Sequence, residues 1–255
     1  MEATDLDLAV EFGQFAFPLV SVYPNERRIL SGTTTIVTNN GSCYLVNAKH
    51  TFDTRDSRAF LTLYPPRGEV FIFSDELISK SIHSDLLDIS ITKMDYTPSY
   101  ECFVGTRPVP LFADFPYDEY ADFEERLLFF GYPSSRAKPD VARGKFIASP
   151  ILYTSNEVYP PYDQKKYGKM EKFHIVSDFN GKKVKNPRLS QPICQAPALD
   201  GMSGGPIFKW HVQVGEEFDT PIGPLDFVGI ATDKDKNKWL KGVKKECILE
   251  LINSV

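Results

Sequence analysis

The sequence predicts an all-β protein that ends in one helix. Its hydrophobic residues occur in many short apolar or β-branched runs separated by Gly, Pro, Asn and Asp, which is typical of a protein built from short strands. The segment 243–253 is the clear exception, because Val243, Cys247 and Leu251 recur there at helical spacing. With 255 residues, 42% of them hydrophobic, the chain is long enough to bury a full core.

The strands can be placed along the chain from these runs. Those expected in the first half are Thr34–Thr38, Cys43–Ala48, Ala59–Tyr64, Val70–Ser74 and Asp88–Met94. Asn39, Asn40 and Gly41, which follow the first of them, are a hairpin signal. In the second half we expect strands over Arg126–Phe130 and Arg143–Leu152.

Composition and charge limit the cellular setting. No run of the sequence is long and apolar enough to cross a membrane, and residues 1–8 lack the basic and apolar parts of a signal peptide. The four cysteines are scattered and show no zinc-ligand spacing. We therefore expect a cytoplasmic protein with reduced thiols, no metal and no cofactor. The net charge of −5 gives no general argument for nucleic acid as a partner.

The run Leu199–Phe208, LDGMSGGPIF, places a serine in a glycine-rich turn that leads into an apolar strand. Glycines beside a nucleophile let a substrate carbonyl approach the main chain closely. The N–H groups of Gly201 and Ser203 are therefore candidates for an oxyanion hole. Ser203 is the candidate nucleophile.

A serine nucleophile needs a histidine base that a carboxylate orients. His50 ends the apolar run that begins at Cys43, and Asp88 opens the apolar run Ile89–Met94. A strand that starts with a carboxylate can place that group in a buried position, so we favour His50 as the base and Asp88 as the acid.

Other residues compete for these two roles. Asp85 is the main rival for the acid, because it lies only a short segment from Asp88. His83 and Asp85 could instead form the functional pair, or begin a metal site, but their polar surroundings indicate a solvated turn. Asp53 follows His50 closely and is a weak candidate.

These segments resemble the chymotrypsin-like (trypsin-fold) serine proteases, in particular the disulfide-free bacterial and viral members. The matching residues are Ala48–His50, Asp88–Ile91 and Gly201–Pro206, in the order His, Asp, Ser. The resemblance extends from about Gly32 to Ala231. It implies two six-stranded antiparallel β-barrels packed together, an active site in the cleft between them, and a C-terminal helix.

The resemblance also implies a division of the chain. Residues 1–255 would form a single peptidase domain, with the N-terminal barrel at about 15–112, a linker at 113–125, the C-terminal barrel at 126–242 and the helix at 243–253. Residues 153–190, here called the basic segment, are an insertion relative to the family and hold eight Lys and Arg against four Asp and Glu.

The implied function is serine endopeptidase activity on a protein or peptide substrate. In the family, the strand matching Phe227–Thr232 pairs with the substrate backbone, and a hydroxyl near Thr232 contacts the aspartate of the triad. Met202 stands where zymogen-type relatives have an aspartate, so activation by N-terminal cleavage is not expected.

Five positions are expected to bind substrate, namely Pro197, Asp200, Ala231, Thr232 and Asp233. Pro197 occupies the place of the pocket aspartate of trypsin-type enzymes, and Ala231 occupies that of the histidine in glutamate- or glutamine-specific relatives. Both differences favour a small or apolar residue before the cut, although Asp200 at the rim could favour a basic one.

Two alternatives from other classes stay open. Lys49 and Met202 depart from the usual family residues, so the chain could be a catalytically silent protease-fold binding module. The basic segment could bind an acidic partner or nucleic acid, although a solvated hairpin is the preferred interpretation and nucleic acid is not favoured.

Overall fold

The computed structural model describes residues 14–53, 59–64, 70–94, 108–111, 123–140, 145–180, 184–186, 191–192, 199–213, 220–235 and 238–254. Within them the chain is mostly β, as expected, with curled antiparallel sheets and a helix near the C-terminal end. Most of the expected linker, residues 113–122, lies outside the described residues, as do Cys102 and Cys194. Neither Cys43 nor Cys247 forms a disulfide with another described residue.

The first sheet has eight strands in the order β5-β4-β1-β2-β3-β7-β6, with β8 parallel to β2. They are β1 (Ala16–Val22), β2 (Arg28–Asn39), β3 (Ser42–Ala48), β4 (Phe60–Leu63), β5 (Phe71–Ile72), β6 (Ile82–Ser84), β7 (Ile89–Met94) and β8 (Val109–Pro110). The β2–β3 hairpin turns at Asn40 and Gly41, which have φ of 48° and 77°. The hairpin signal is therefore confirmed.

The second sheet also has eight strands, in the order β13-β18-β17-β16-β9-β12-β14-β15, and β10 and β11 form a separate hairpin. The strands of this half are β9 (Glu124–Gly131), β10 (Ala137–Asp140), β11 (Lys145–Ala148), β12 (Ile151–Ser155), β13 (His174–Asp178), β14 (Val184–Asn186), β15 (Gln191–Pro192), β16 (Pro206–Gln213), β17 (Thr220–Asp235) and β18 (Trp239–Lys244). Each sheet exceeds the expected six strands because it includes pieces of two or three residues, such as β8 and β15.

One expected strand is divided in the structure. The run Arg143–Leu152 contains β11 and β12, and Ser149 and Pro150 lie between them. Because proline has no N–H to donate, it interrupts a hydrogen-bonded ladder. The expectation of one continuous strand there is wrong.

The helices are few and, apart from the last, short. They are α1 (His50–Asp53), α2 (Asp75–Ser79), α3 (Gln164–Tyr167) and α4 (Lys245–Asn253), with a 3₁₀ turn at Ser134–Arg136. Helix α4 begins two residues later than expected, because Val243 and Lys244 still pair with neighbouring strands in β18. None of the helices in the described part of the chain has both the length and the apolar character needed to cross a membrane.

Strand β9 shows why the apolar runs are continuous rather than alternating. Leu127 and Phe129 pack into a cluster within the second sheet, whereas Leu128 and Phe130 belong to a cluster that includes residues of both sheets. Successive side chains on a strand point to opposite faces. A strand that is buried on both faces therefore needs apolar residues at every position.

The same arrangement recurs on the other side. The first sheet has its own cluster, which includes Phe17, Leu45 and Leu61. The shared cluster joins the sheets, with the ring centroids of Phe15 and Phe208 5.3 Å apart. Each sheet thus has a core of its own, and a third core holds the two sheets together.

The basic segment is part of the second sheet where it is described. Strand β13 pairs with β18, and its residues from His174 to Ser177 are buried. The indole N–H of Trp239 donates to the carbonyl of Lys166 at 2.9 Å. The expectation that the basic segment forms a solvated hairpin is therefore wrong for these residues. Lys182, Lys183 and Arg188 lie outside the described residues.

Candidate active site

His50 and Asp88 are joined by two hydrogen bonds. The imidazole Nδ1 lies 2.7 Å from Asp88 Oδ2, and the backbone N–H of His50 donates to Asp88 Oδ1 at 3.0 Å. The N–H of Lys49 donates to the main-chain carbonyl of Asp88 at 2.8 Å. These contacts fix the imidazole relative to the carboxylate.

Strand pairing explains why the two residues meet. Strands β3 and β7 are antiparallel neighbours, and Ala48 at the end of β3 pairs with Ile89 at the start of β7. His50 follows Ala48 by two residues and Asp88 directly precedes Ile89, so the two residues lie at the same end of this strand pair. Asp88 has a φ of 54°, a left-handed conformation that aspartate tolerates better than most residues and that often occurs at functional sites.

The bond also sets the tautomer of the imidazole. An ionised carboxylate only accepts hydrogen bonds, so Nδ1 of His50 carries the proton. The lone pair of the neutral ring is then on Nε2, on the opposite side of the ring from Asp88. A histidine held in this way can act as a general base.

Asp85 and His83 are placed elsewhere. Asp85 lies in the same turn between β6 and β7 as Asp88, but its Oδ1 is 3.1 Å from Lys49 Nζ and its side chain is 90% exposed. The ring of His83 is exposed and packs edge-on against Phe52. No group of three metal-ligating side chains occurs among the described residues, and the side chain of Asp53 is not among those described.

Two glycines, one in the loop 199–205 and one in the first sheet, allow the loop and the sheet to pack closely together. A Cβ on Gly204 would lie 1.8 Å from the carbonyl oxygen of Thr33 and 3.3 Å from the backbone nitrogen of Ala48. A Cβ on Gly32 would lie 2.7 Å from Thr51 Cγ2 and 3.0 Å from the carbonyl oxygen of Ser203. The loop therefore packs against Ala48, and Gly32 lies between Ser203 and Thr51; Ala48 and Thr51 are both within two residues of His50.

The amides of the loop divide into two groups. Met202, Gly204 and Gly205 donate to the carbonyls of Leu199, Ala231 and Met202, at 3.1, 2.7 and 2.9 Å. The N–H groups of the other four residues, Leu199, Asp200, Gly201 and Ser203, donate to no group within the described ranges. Gly201 and Ser203 carry the two amides that the sequence predicts for an oxyanion hole.

The hydroxyl of Ser203 makes no hydrogen bond to any residue that the structure describes, and the side chain is half-buried. The structure therefore brings His50 and Asp88 into direct contact, and it places Ser203 near them by backbone packing alone. Hydrogen bonds in catalytic sites are often loose before substrate binds.

Ala231 holds the loop 199–205 through two main-chain hydrogen bonds. Its carbonyl accepts from Gly204 and its N–H donates to Gly205 at 2.8 Å, so this N–H is already used within the protein. Thr232 is buried at a shift in the pairing of β17 with β18, and its hydroxyl does not contact Asp88, whose carboxylate oxygens both accept from His50. The contact that the family resemblance implies is absent between these two described residues.

The acidic residues expected to bind substrate each have a lysine partner. Lys234 Nζ donates to Asp200 Oδ1 at 2.7 Å, and Lys241 Nζ lies 3.5 Å from Asp233 Oδ2. The charge of Asp200 is therefore offset at the rim. Pro197 lies outside the described residues.

Two residues that the sequence did not single out, Thr33 and Thr35, hold the loop 199–205 from the first sheet. Both are fully buried, and their hydroxyls donate to the carbonyls of Gly201 and Gly204 at 2.9 and 2.8 Å. The hydroxyl of Thr34 instead donates to Asn47. The signal was the run of three threonines, because alternation along a strand places the first and third on one face.

A groove of about 490 Å³ lies on the second sheet beside the start of α4, away from these residues. Lys172, Asp226 and Cys247 are among its lining residues, and Lys245 Nζ donates to Asp226 Oδ1 at 2.9 Å. Burial raises the pKa of the Cys247 thiol, which makes that thiol a poor nucleophile. This groove and the hydrogen-bonded pair of His50 and Asp88 are therefore two separate places on the protein.

The chain matches no protein-family model and no curated protein sequence.

Proposed function

We propose that this protein is a serine endopeptidase of the chymotrypsin-like type. The main support is the bonded pair of His50 and Asp88 beside a glycine-rich loop in which the amides of Gly201 and Ser203 have no partner among the described residues. A base, an orienting acid, a hydroxyl and two amide donors are the groups that this chemistry requires.

The proposed reaction follows from the placement of these groups. Ser203 Oγ attacks the peptide carbonyl, and Nε2 of His50 takes the hydroxyl proton while Asp88 stabilises the imidazolium. The oxyanion accepts hydrogen bonds from the amides of Gly201 and Ser203. The C–N bond then breaks, and His50 returns the proton to the leaving amine. Water repeats the sequence on the acyl-enzyme and releases Ser203.

The two-barrel architecture is part of this proposal. Two curled antiparallel sheets, each with its own apolar cluster and a shared cluster between them, support it. In this arrangement, His50 and Asp88 lie at the edge of the first sheet. Ser203 lies in the loop that leads into β16 of the second sheet, so the substrate would bind between the two.

Activity without N-terminal processing is also proposed. The carbonyls of loop 199–205 accept hydrogen bonds from Thr33, Ser134 and Thr35, all within the folded part of the chain. Met202 is buried and uncharged, so it offers no ion-pair partner to a new N-terminal amine.

For the substrate, we propose a small or apolar residue before the cut. The ion pair of Asp200 with Lys234 supports this choice, because a neutralised rim gives less attraction to a basic side chain. An acidic partner at the basic segment has less support, since Lys166 and Lys169 are already paired with Asp178 and Glu171.

A second candidate function is a catalytically silent binding module with this fold. The hydroxyl of Ser203, which has no hydrogen-bond partner in the described part of the chain, is the observation that favours it. Such a module would bind peptides without cleaving them.

Cleavage of a peptide library by purified wild-type protein and by Ser203→Ala distinguishes the two functions. The peptidase proposal predicts cleavage by the wild type alone, mostly after small or apolar residues. Cleavage of the same peptides by Ser203→Ala would contradict it. Peptide binding without cleavage by either protein would favour the silent module.

A further inference from the structure

We infer that Thr33 is a positioning residue: from the opposite sheet it holds the two peptide units that flank the unit of the Ser203 amide, and so it orients the proposed oxyanion hole. The inference rests on the proposed peptidase function and adds a residue that belongs to neither the triad nor the loop. Thr33 is in β2 of the first sheet, and it is fully buried.

Thr33 makes three hydrogen bonds at the junction of the two sheets. Its hydroxyl donates to the carbonyl of Gly201 at 2.9 Å and accepts from the N–H of Tyr132 at 3.1 Å. Its backbone N–H donates to the carbonyl of Ser203 at 2.8 Å. One residue therefore holds two carbonyls of the loop and also the end of β9.

These bonds complete a set that fixes four consecutive peptide groups. The carbonyl of Asp200 accepts from Ser134 N–H at 2.6 Å, and that of Met202 accepts from Gly205 N–H at 2.9 Å. The carbonyls between and after them, of Gly201 and Ser203, are those that Thr33 holds. Because a peptide unit is planar, a fixed carbonyl also fixes the amide of the next residue. The bonds from Ser134 and Gly205 therefore fix the amides of Gly201 and Ser203, and the bonds from Thr33 fix the peptide units on either side of the unit that carries the Ser203 amide.

The hydroxyl of Thr33 matters most at the unit after Gly201. Gly201 has a φ of 93°, and glycine occupies both signs of φ at little cost. Without the hydroxyl, the carbonyl of Gly201 loses this restraint, and rotation about the glycine turns the adjoining amides. The amides of Gly201 and Ser203, which belong to the peptide units on either side of this one, would then lose their fixed relative orientation.

The chemistry of the side chain defines the test. Threonine both donates and accepts, serine can do the same, and valine has the shape of threonine but neither capacity. Thr62 is a matched control, because it is a buried threonine of the first sheet whose hydroxyl donates to a main-chain carbonyl, that of Val20, at 3.0 Å.

The experiment measures modification by a fluorophosphonate probe, in which Ser203 Oγ forms a bond to phosphorus, fluoride leaves, and His50 takes the hydroxyl proton. We expect Thr33→Val to lower the maximal rate at saturating probe about tenfold, with the half-saturating probe concentration and the final extent of labelling unchanged. Thr33→Ser should restore the rate to within about twofold of wild type. Thr62→Val should leave it at the wild-type value.

The possible outcomes separate the two claims. If the wild type is labelled at Ser203 and Thr33→Val reacts at the wild-type maximal rate, the inference is wrong and the proposed function stands. Equal slowing by Thr62→Val would also overturn the inference, since it would show that the loss of any buried threonine hydroxyl slows labelling. A folded wild type that is not labelled would overturn both. If Thr33→Val does not fold, Thr33→Ala compared with Thr33→Ser gives the same contrast.

Discussion

The two sides of the proposed cleft position their groups by different means. On the first sheet, the pairing of β3 with β7 brings the side chains of His50 and Asp88 together, and a 2.7 Å contact joins them. On the second sheet, the groups of interest are mainly backbone amides, and their orientation depends on Thr33 and Ser134, which are remote in sequence. The first arrangement is specified by local strand register and the second by packing between distant segments.

This difference predicts different sensitivities. The first side should respond to changes in the charge and proton-carrying capacity of single side chains, with little effect on folding. The second side should respond to changes in backbone shape, with effects on both folding and activity. The following predictions are ordered by expected effect.

The largest effect concerns the acid. We expect Asp88→Asn to lower kcat/KM on the best library peptide by about 10⁴-fold, because the amide would no longer hold the imidazole in the productive tautomer. Asp85→Asn is the control in the same turn, and it should change kcat/KM by less than about twofold, since it breaks only an exposed ion pair with Lys49. A larger loss in Asp85→Asn than in Asp88→Asn would transfer the acid role to Asp85.

The residues of the first side are also easier to predict from sequence than those of the second. The hairpin at Asn40 and Gly41, the helix near the C-terminal end and most of the strand runs follow local patterns and occur in the structure, although Arg143–Leu152 is divided into two strands. His50 and Asp88 could be proposed because each lies at one end of such a run. Thr33 was not found, because β propensity explains a threonine in a strand completely, and its partner Gly201 lies in a loop whose position only the packed sheets define.

The basic segment shows the same limit. Its charge favoured a solvated hairpin, yet the residues from His174 to Ser177 are buried against β18 and the cores of the second sheet. Lysines can surround a short buried strand without belonging to it. Net charge over a long window therefore hides a strand of five residues.

The second prediction tests the importance of backbone shape on the second side, by substitution of two glycines that have positive φ. Gly204→Ala should destabilise the protein by about 3 kcal/mol or more and slow peptide cleavage, because the new Cβ would lie 1.8 Å from the carbonyl oxygen of Thr33. Gly41→Ala is the control, since its φ is 77° and no atom lies within 4 Å of its added Cβ. It should cost only about 1–2 kcal/mol and leave activity unchanged. Urea unfolding and peptide cleavage give both values, and equal losses would show that packing against Thr33 is unimportant.

The third prediction concerns pH and the second sheet. Burial, with Lys241 nearby, lowers the pKa of His174 to about 4, and its Nδ1 accepts from the N–H of Glu171 at 2.9 Å. The folded protein therefore keeps the imidazole of His174 neutral, and the unfolded chain takes up a proton at this residue first as the pH falls. The free energy of unfolding should be unaffected above pH 6.5 and should drop by about 3 kcal/mol as the pH falls from 6.5 to 4.

His174→Gln supplies the control for this effect, because a glutamine oxygen can accept from Glu171 but does not titrate in this range. Urea unfolding at several pH values should give a flatter profile for the variant than for the wild type between pH 6.5 and 4. Parallel profiles would show that His174 is not the group responsible.

The central claim is that His50 on the first sheet activates Ser203 on the second. Mass spectrometry after reaction with a fluorophosphonate tests it most directly, through the site and the rate of modification in wild type, Ser203→Ala and His50→Ala. We predict one adduct per molecule at Ser203, none in Ser203→Ala, and a rate at least about 10³-fold lower in His50→Ala. An adduct on another residue, or equal rates in wild type and His50→Ala, would contradict the claim.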